Sequence, residues 1–233
     1  FAHGFKGFKD WGHFPLIQQY IADKGFIVVA FNFSHNGGTV EEAIDFPDLD
    51  AFAKNTYQKE VEDVGHVLDW IKGHIIGHSR GGGVALLAGS NYHEIKKVIT
   101  WAAVADFVER LPNAEQLEKW KKNGVYFIKN GRTHQDMPMN YDFVETLLNF
   151  EKQLDIQRSV HSLEKPLLII HGANDETVAL ENAERIKSWK KEAQLAIINE
   201  CNHTFNGKHP WNTIELTKAT LDALESSISF LKA

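Results

Sequence analysis

The sequence predicts an α/β domain, a mostly parallel central sheet flanked by helices, with a small inserted cap. Three observations carry this. Short apolar runs rich in β-branched residues recur along the chain, helical stretches lie between them, and the alternation breaks once, over about 60 residues.

The runs are taken as buried parallel strands. They are Phe26–Phe31, His74–Gly77, Lys97–Trp101, Pro166–Ile170 and Leu195–Ile198. Helices are expected over Trp11–Lys24, Tyr57–Lys72, Gly81–Tyr92, Leu180–Glu192 and Thr213–Leu231; in the second, Val61, Val64, Val67, Leu68 and Ile71 recur near a 3.6-residue period. Gly73 then separates that helix from the next strand by one residue, which implies a very tight turn or missing chain. The break, residues 106–164, reads as a cap over the carboxyl edge of the sheet, between core segments 1–105 and 165–233. Within it we expect a helix at Glu115–Lys122, a hairpin at Val125–Met137 turning on Asn130-Gly131, and a helix at Tyr141–Leu154.

Composition fits one globular domain of 233 residues, 43% hydrophobic and 24% charged. The net charge of −6 argues against a nucleic-acid surface. No run of apolar residues is long enough to span a membrane. One cysteine, Cys201, allows no internal disulfide and no finger-type zinc site, which suits a cytoplasmic protein. The chain opens on Phe1-Ala2-His3-Gly4 rather than Met, and an amino-terminal part is expected ahead of it. The sequence says nothing of oligomeric state.

Gly77-His78-Ser79-Arg80-Gly81 fits G-x-S-x-G and sits between a predicted strand and a predicted helix, the setting that motif requires. There a serine projects from a strained turn, glycines relieve the crowding across it, and the new helix aims its first amides at a developing oxyanion. A second amide has to come from an earlier loop. His3-Gly4-Phe5-Lys6-Gly7 offers the N–H of Phe5, to act with that of Arg80. A serine also needs a base, and the base needs a carboxylate. Asp175, in the loop after Pro166–Ile170, is the expected acid, with Glu176 its competitor. His203, after the last strand, is the expected base, with His209 its rival. His171 and His78 read as packed residues; His35 and His134 line a pocket or are solvated; Cys201 reads as a half-buried thiol.

Taken together, His3-Gly4-Phe5-Lys6-Gly7, Gly77-His78-Ser79-Arg80-Gly81, His171-Gly172-x-x-Asp175 and Asn202-His203-x-Phe205 resemble the signature of the α/β-hydrolase superfamily. More narrowly the chain resembles its dienelactone-hydrolase-like and feruloyl (cinnamoyl) esterase-like branch, also described as serine aminopeptidase-like. The resemblance covers nearly the whole chain. It implies a carboxylic ester hydrolase with a cap inserted after the sixth strand, and members have two or three strands ahead of the His-Gly loop. Dienelactone hydrolases use a cysteine where this chain has Ser79, so their lactone chemistry is not expected.

The resulting expectation is acyl transfer to water through Ser79, His203 and Asp175, with no cofactor and no metal, on a small-molecule ester, the rate rising as an imidazole base deprotonates near pH about 6.5. A thioesterase, a serine aminopeptidase-type hydrolase and a non-catalytic binding module are the alternatives. In the cap, Trp120, Tyr126, Phe127, Met137, Met139 and Tyr141 are read first as a small core of the cap's own; Tyr126, Asp136 and Tyr141 are the expected substrate contacts.

Overall fold

The computed structural model describes all 233 residues. In chain order the elements are α1 (Phe14–Asp23), α2 (Leu49–Ala53), α3 (Tyr57–Leu68), β1 (Gly73–His78), α4 (Arg80–Asn91), β2 (Ile95–Trp101), α5 (Ala114–Asn123), β3 (Val125–Lys129), β4 (Asp136–Asn140), α6 (Asp142–Asn149), α7 (Ile156–Ser162), β5 (Leu167–Gly172), α8 (Glu181–Trp189), β6 (Gln194–Ile198) and α9 (Lys218–Lys232). Four parallel strands form the central sheet in the order β1-β2-β5-β6. No helix is long and apolar enough to cross a membrane.

Two apolar clusters sandwich the sheet. The smaller, with Phe14, Ile17, Ala223 and Leu224, lies under α1 and α9. The larger lies under α3, α4 and α8 and continues into the inserted region, where Trp120, Met137, Met139 and Phe143 join Val84–Ala88 in one core. The inserted residues therefore share the body's core instead of building one of their own.

Local chemistry sets the helix ends. Thr56 caps α3 by accepting the N–H of Lys59, and Thr217 caps α9 by accepting that of Thr220. The α3 helix closes at Leu68, four residues earlier than expected. The N–H groups of Trp70 and Ile71 both turn back to the Val67 carbonyl, and Gly73 then enters the sheet. The connection to β1 is thus residues 69–72, an ordinary length.

Two expectations need correction. Phe26–Phe31 is not a strand of the sheet. A strand needs a neighbour for its ladder, and the backbone between this run and β1 is Phe1–Ala2 alone. Phe1 donates its amino group to the Val29 carbonyl, and Ala2 makes one bridge to Gly77. Ile27 is 87% exposed. The hairpin is also longer than expected. Its second strand is Asp136–Asn140, because Asn130 builds a six-residue loop: its side chain accepts the N–H of Arg132, and its N–H reaches the Gln135 carbonyl.

Candidate active site

Ser79 stands between β1 and α4 with φ 57° and ψ −120°, a region L-residues rarely occupy. The surroundings impose it. A Cβ at Gly77 would strike the carbonyl of Gly81, and one at Gly81 would strike the carbonyls of His3 and Ala2. Only glycine at both positions lets strand, helix and His-Gly loop close on one another. The Ser79 N–H donates to the Trp101 carbonyl (2.8 Å), and its carbonyl accepts from Gly82 (3.0 Å).

The turn aims the hydroxyl at His203: Ser79 Oγ lies 2.9 Å from Nε2, while Nδ1 of the same ring lies 2.8 Å from Asp175 Oδ2. Asp175 is supplied by the loop after β5. Its Oδ1 accepts the N–H groups of Thr177 and Val178, and its Oδ2 also lies 3.3 Å from His171 Nε2. Burial works against the charge on Asp175. Hydrogen bonds from His171, His203 and the Val178 amide outweigh it and hold the carboxyl well below the usual carboxylate range.

Two further histidines brace this arrangement. His78 donates from Nε2 to the His203 carbonyl (2.9 Å), tying the loop that carries His203 to the strand that carries Ser79. Burial, followed by the nearby His203, pushes His78 down to about 3. His3 donates from Nδ1 to the Gly4 carbonyl (2.9 Å) and accepts the N–H of Phe33 at Nε2 (3.3 Å). Those two bonds fix its neutral tautomer, and burial lowers it to about 4. The loop it holds presses on the serine: a Cβ at Gly4 would fall 2.9 Å from Ser79 Cβ and 3.3 Å from Oγ. The next N–H is that of Phe5. Neither it nor the N–H of Arg80 donates to a protein acceptor, so both suit an incoming oxyanion.

The rival residues lie elsewhere. Glu176 is exposed. His209 accepts the Gly12 N–H at Nδ1 (2.8 Å) and packs on Phe8. His35 shares a hydrogen bond with Ser34, and His134 is exposed in the hairpin loop. Cys201 is wholly buried, more so than expected, and burial pushes its thiol up to about 12.

Ser79 and His203 open onto two hollows. One, of about 130 Å³, is walled by Gly4, Trp11, Phe14 and Thr204. The other, of about 480 Å³, has Phe5, Tyr57, Trp120, Tyr126 and Phe143 in its walls. Of the three expected substrate contacts, Tyr126 borders this cavity. Asp136 does not: the strand alternation that turns Met137 and Met139 inward turns Asp136 out, where it pairs with Lys129 at 3.5 Å. Tyr141 also lies outside the cavity lining, its ring edge-on to Trp120.

Sequence reasoning missed the side chain of Arg80 and its partner. The guanidinium is buried against Phe5, with Nη1 3.2 Å from Glu60 Oε1. Burial raises the pKa of Glu60, opposed by Arg80 and Asn55. The signal was present, because Glu60 falls on the apolar stripe of α3 between Tyr57 and Val61.

Residues 1–221 match the family described as "Putative esterase". The chain belongs to this esterase family. A Bacillus subtilis protein named uncharacterized peptidase YtmA is 25% identical over 194 residues, 80% of this chain and 68% of that one. Est1E from Butyrivibrio proteoclasticus, solved with ferulic acid bound, superposes with a TM-score of 0.68 at 19% identity, covering 100% of this chain and 88% of that one. Mouse alpha/beta hydrolase domain-containing protein 10 superposes at 0.69 with 19% identity, covering 100% and 88%. These two establish the fold alone, an α/β-hydrolase fold. Family and fold together make the chain an esterase-type hydrolase.

Proposed function

We propose that the chain hydrolyses small carboxylic esters through an acyl-enzyme on Ser79. The observation that carries the reading is the relay of Ser79 Oγ, His203 and Asp175, at 2.9 and 2.8 Å, beside two backbone amides without protein acceptors. As Ser79 attacks the ester carbonyl, His203 Nε2 takes the hydroxyl proton, and Asp175 keeps the imidazole in the tautomer that leaves Nε2 free. The Phe5 and Arg80 amides receive the oxyanion. His203 then gives the proton to the departing alcohol, and water, activated by the same imidazole, releases the acid. No step calls for a cofactor. The partner is a small-molecule ester, the larger hollow taking its acyl part and the smaller one its alcohol. A lone buried thiol suits a cytoplasmic setting.

The test is hydrolysis of p-nitrophenyl esters from acetate to decanoate by the wild type and by Ser79→Ala, with fluorophosphonate labelling alongside. The substitution is expected to lower kcat by about 10⁶-fold and to abolish labelling. Intact folding with neither hydrolysis nor labelling in the wild type would move a non-catalytic binding role to the front. The peptidase name of the Bacillus relative makes an aminoacyl p-nitroanilide the needed comparison; faster cleavage of that amide would replace the ester reading with a peptidase one.

A further inference from the structure

The larger hollow at Ser79 has three cationic residues in its lining, Lys6, Arg80 and Arg110, and none of its lining residues is acidic. This is unexpected in a chain of net charge −6. The three cations come from separate places: the His-Gly loop, the start of α4, and the short turn Val108–Arg110 that opens the inserted region. Only Arg80 has a carboxylate partner, Glu60, and that carboxylate is shared with Asn55 Nδ2. Lys6 Nζ reaches a single neutral acceptor, the Lys129 carbonyl at 3.2 Å, and makes no ion pair. Arg110 has no side-chain acceptor and no ion pair, although acidic residues elsewhere on the surface pair freely with Lys119, Arg185 and Lys218. Phe5, Tyr57, Trp120, Tyr126 and Phe143 line the same hollow and offer an acyl chain apolar surface. Like charges gathered around a partly desolvated hollow repel one another and are relieved by an anion between them.

We propose that the acyl part of the substrate carries a carboxylate, received by Lys6 and Arg110 over the buried charge of Arg80. The inference rests on the ester-hydrolase reading above and narrows its substrate class to anionic hemiesters. The Arg110 guanidinium fork supplies paired donors that match a carboxylate, and Lys6 supplies a point charge. Burial already holds Lys6 below the usual lysine pKa, and a bound carboxylate would restore it.

The experiment compares mono-p-nitrophenyl glutarate with p-nitrophenyl pentanoate, which has the same chain length and no terminal charge. The expected result is kcat/KM about tenfold or more higher for the glutarate at low salt, with the ratio falling as ionic strength rises. In Arg110→Gln and Lys6→Gln the ratio, taken within each variant so that any general loss cancels, is expected to fall toward one. A ratio of one or below in the wild type, with pentanoate still cleaved and the serine still labelled by fluorophosphonate, overturns the anionic substrate and leaves the hydrolase intact. A preference that survives both substitutions overturns the assignment to these cations. Cleavage of neither ester, with no labelling, overturns both readings together.

Discussion

The turn around Ser79 is held by backbone packed on backbone, whereas the hairpin wall across the hollow is held by side chains, several of them exposed. Around the serine, Gly77, Gly81 and Gly4 lie against carbonyls and Cβ atoms with no room for a methyl group, and His3 and His78 pin the flanking loops through main-chain carbonyls. The β3–β4 hairpin instead meets the body through the Lys6–Lys129 carbonyl bond, the Arg132–Asp45 ion pair and the bond from Gln135 to the Phe46 carbonyl. Its inner residues are ordinary packing, Met137 and Met139 in the shared core and Tyr126 stacked on Trp120. The difference separates what chemistry fixes from what specificity can vary. Under the proposed function, the reacting atoms would need placing to tenths of an ångström, which backbone contacts provide, while the wall of the hollow would need shape, which side chains can change singly.

That contrast can be broken at its strongest point first. Asp175→Asn preserves shape but hydrogen-bonds the wrong imidazole tautomer, so kcat toward p-nitrophenyl butyrate is expected to fall by about 10⁴-fold with little loss of folding. A loss below tenfold would mean that His203 is positioned by its loop alone and that the carboxylate is dispensable.

Acid provides the second probe. His3, His13 and His78 are buried and neutral, with burial holding them at about 4, about 4 and about 3. A free imidazole titrates near 6.5. Between those values the unfolded chain takes up protons that the folded chain refuses, so stability is complete above about pH 6.5 and falls as the pH drops toward 4. Each histidine contributes a slope of about 1.4 kcal/mol per pH unit in that window. Urea midpoints measured across it should therefore drop steeply, and His78→Asn should flatten the curve. A flat wild-type curve would show the braces to be hydrated and the serine corner to be no tighter than the hairpin.

The smallest effect is expected on the other side. Arg132→Gln removes a partly exposed ion pair to Asp45, so thermal denaturation should register at most about 1 kcal/mol. A loss of several kcal/mol would erase the contrast.

How much of this was legible in the sequence follows the same division. The convergence of Ser79, His203 and Asp175 was readable because each lies in a local motif whose residue types are dictated by the turn it must make. Four of five strands were readable from continuous apolar runs. Phe26–Phe31 misled because its composition is that of a strand, while strand pairing depends on a distant neighbour that composition does not report. The hairpin register was set by a side chain, Asn130, rather than by the Asn-Gly pair taken as the turn. Asp136 could have been placed correctly, since alternation with Met137 and Met139 puts it outside. The Arg80–Glu60 pair needed the fold, which brings α3 against the start of α4.

The burial of Cys201 has a practical side. The one sulfhydryl in the chain is sealed from solvent and pushed up to about 12, so almost none of it is thiolate at neutral pH and alkylating probes will pass it by. A cysteine introduced at Phe127, exposed on the hairpin, would then be the sole reactive handle on the molecule. A single fluorophore attached there would report on the surroundings of the hairpin, without first engineering the native thiol away.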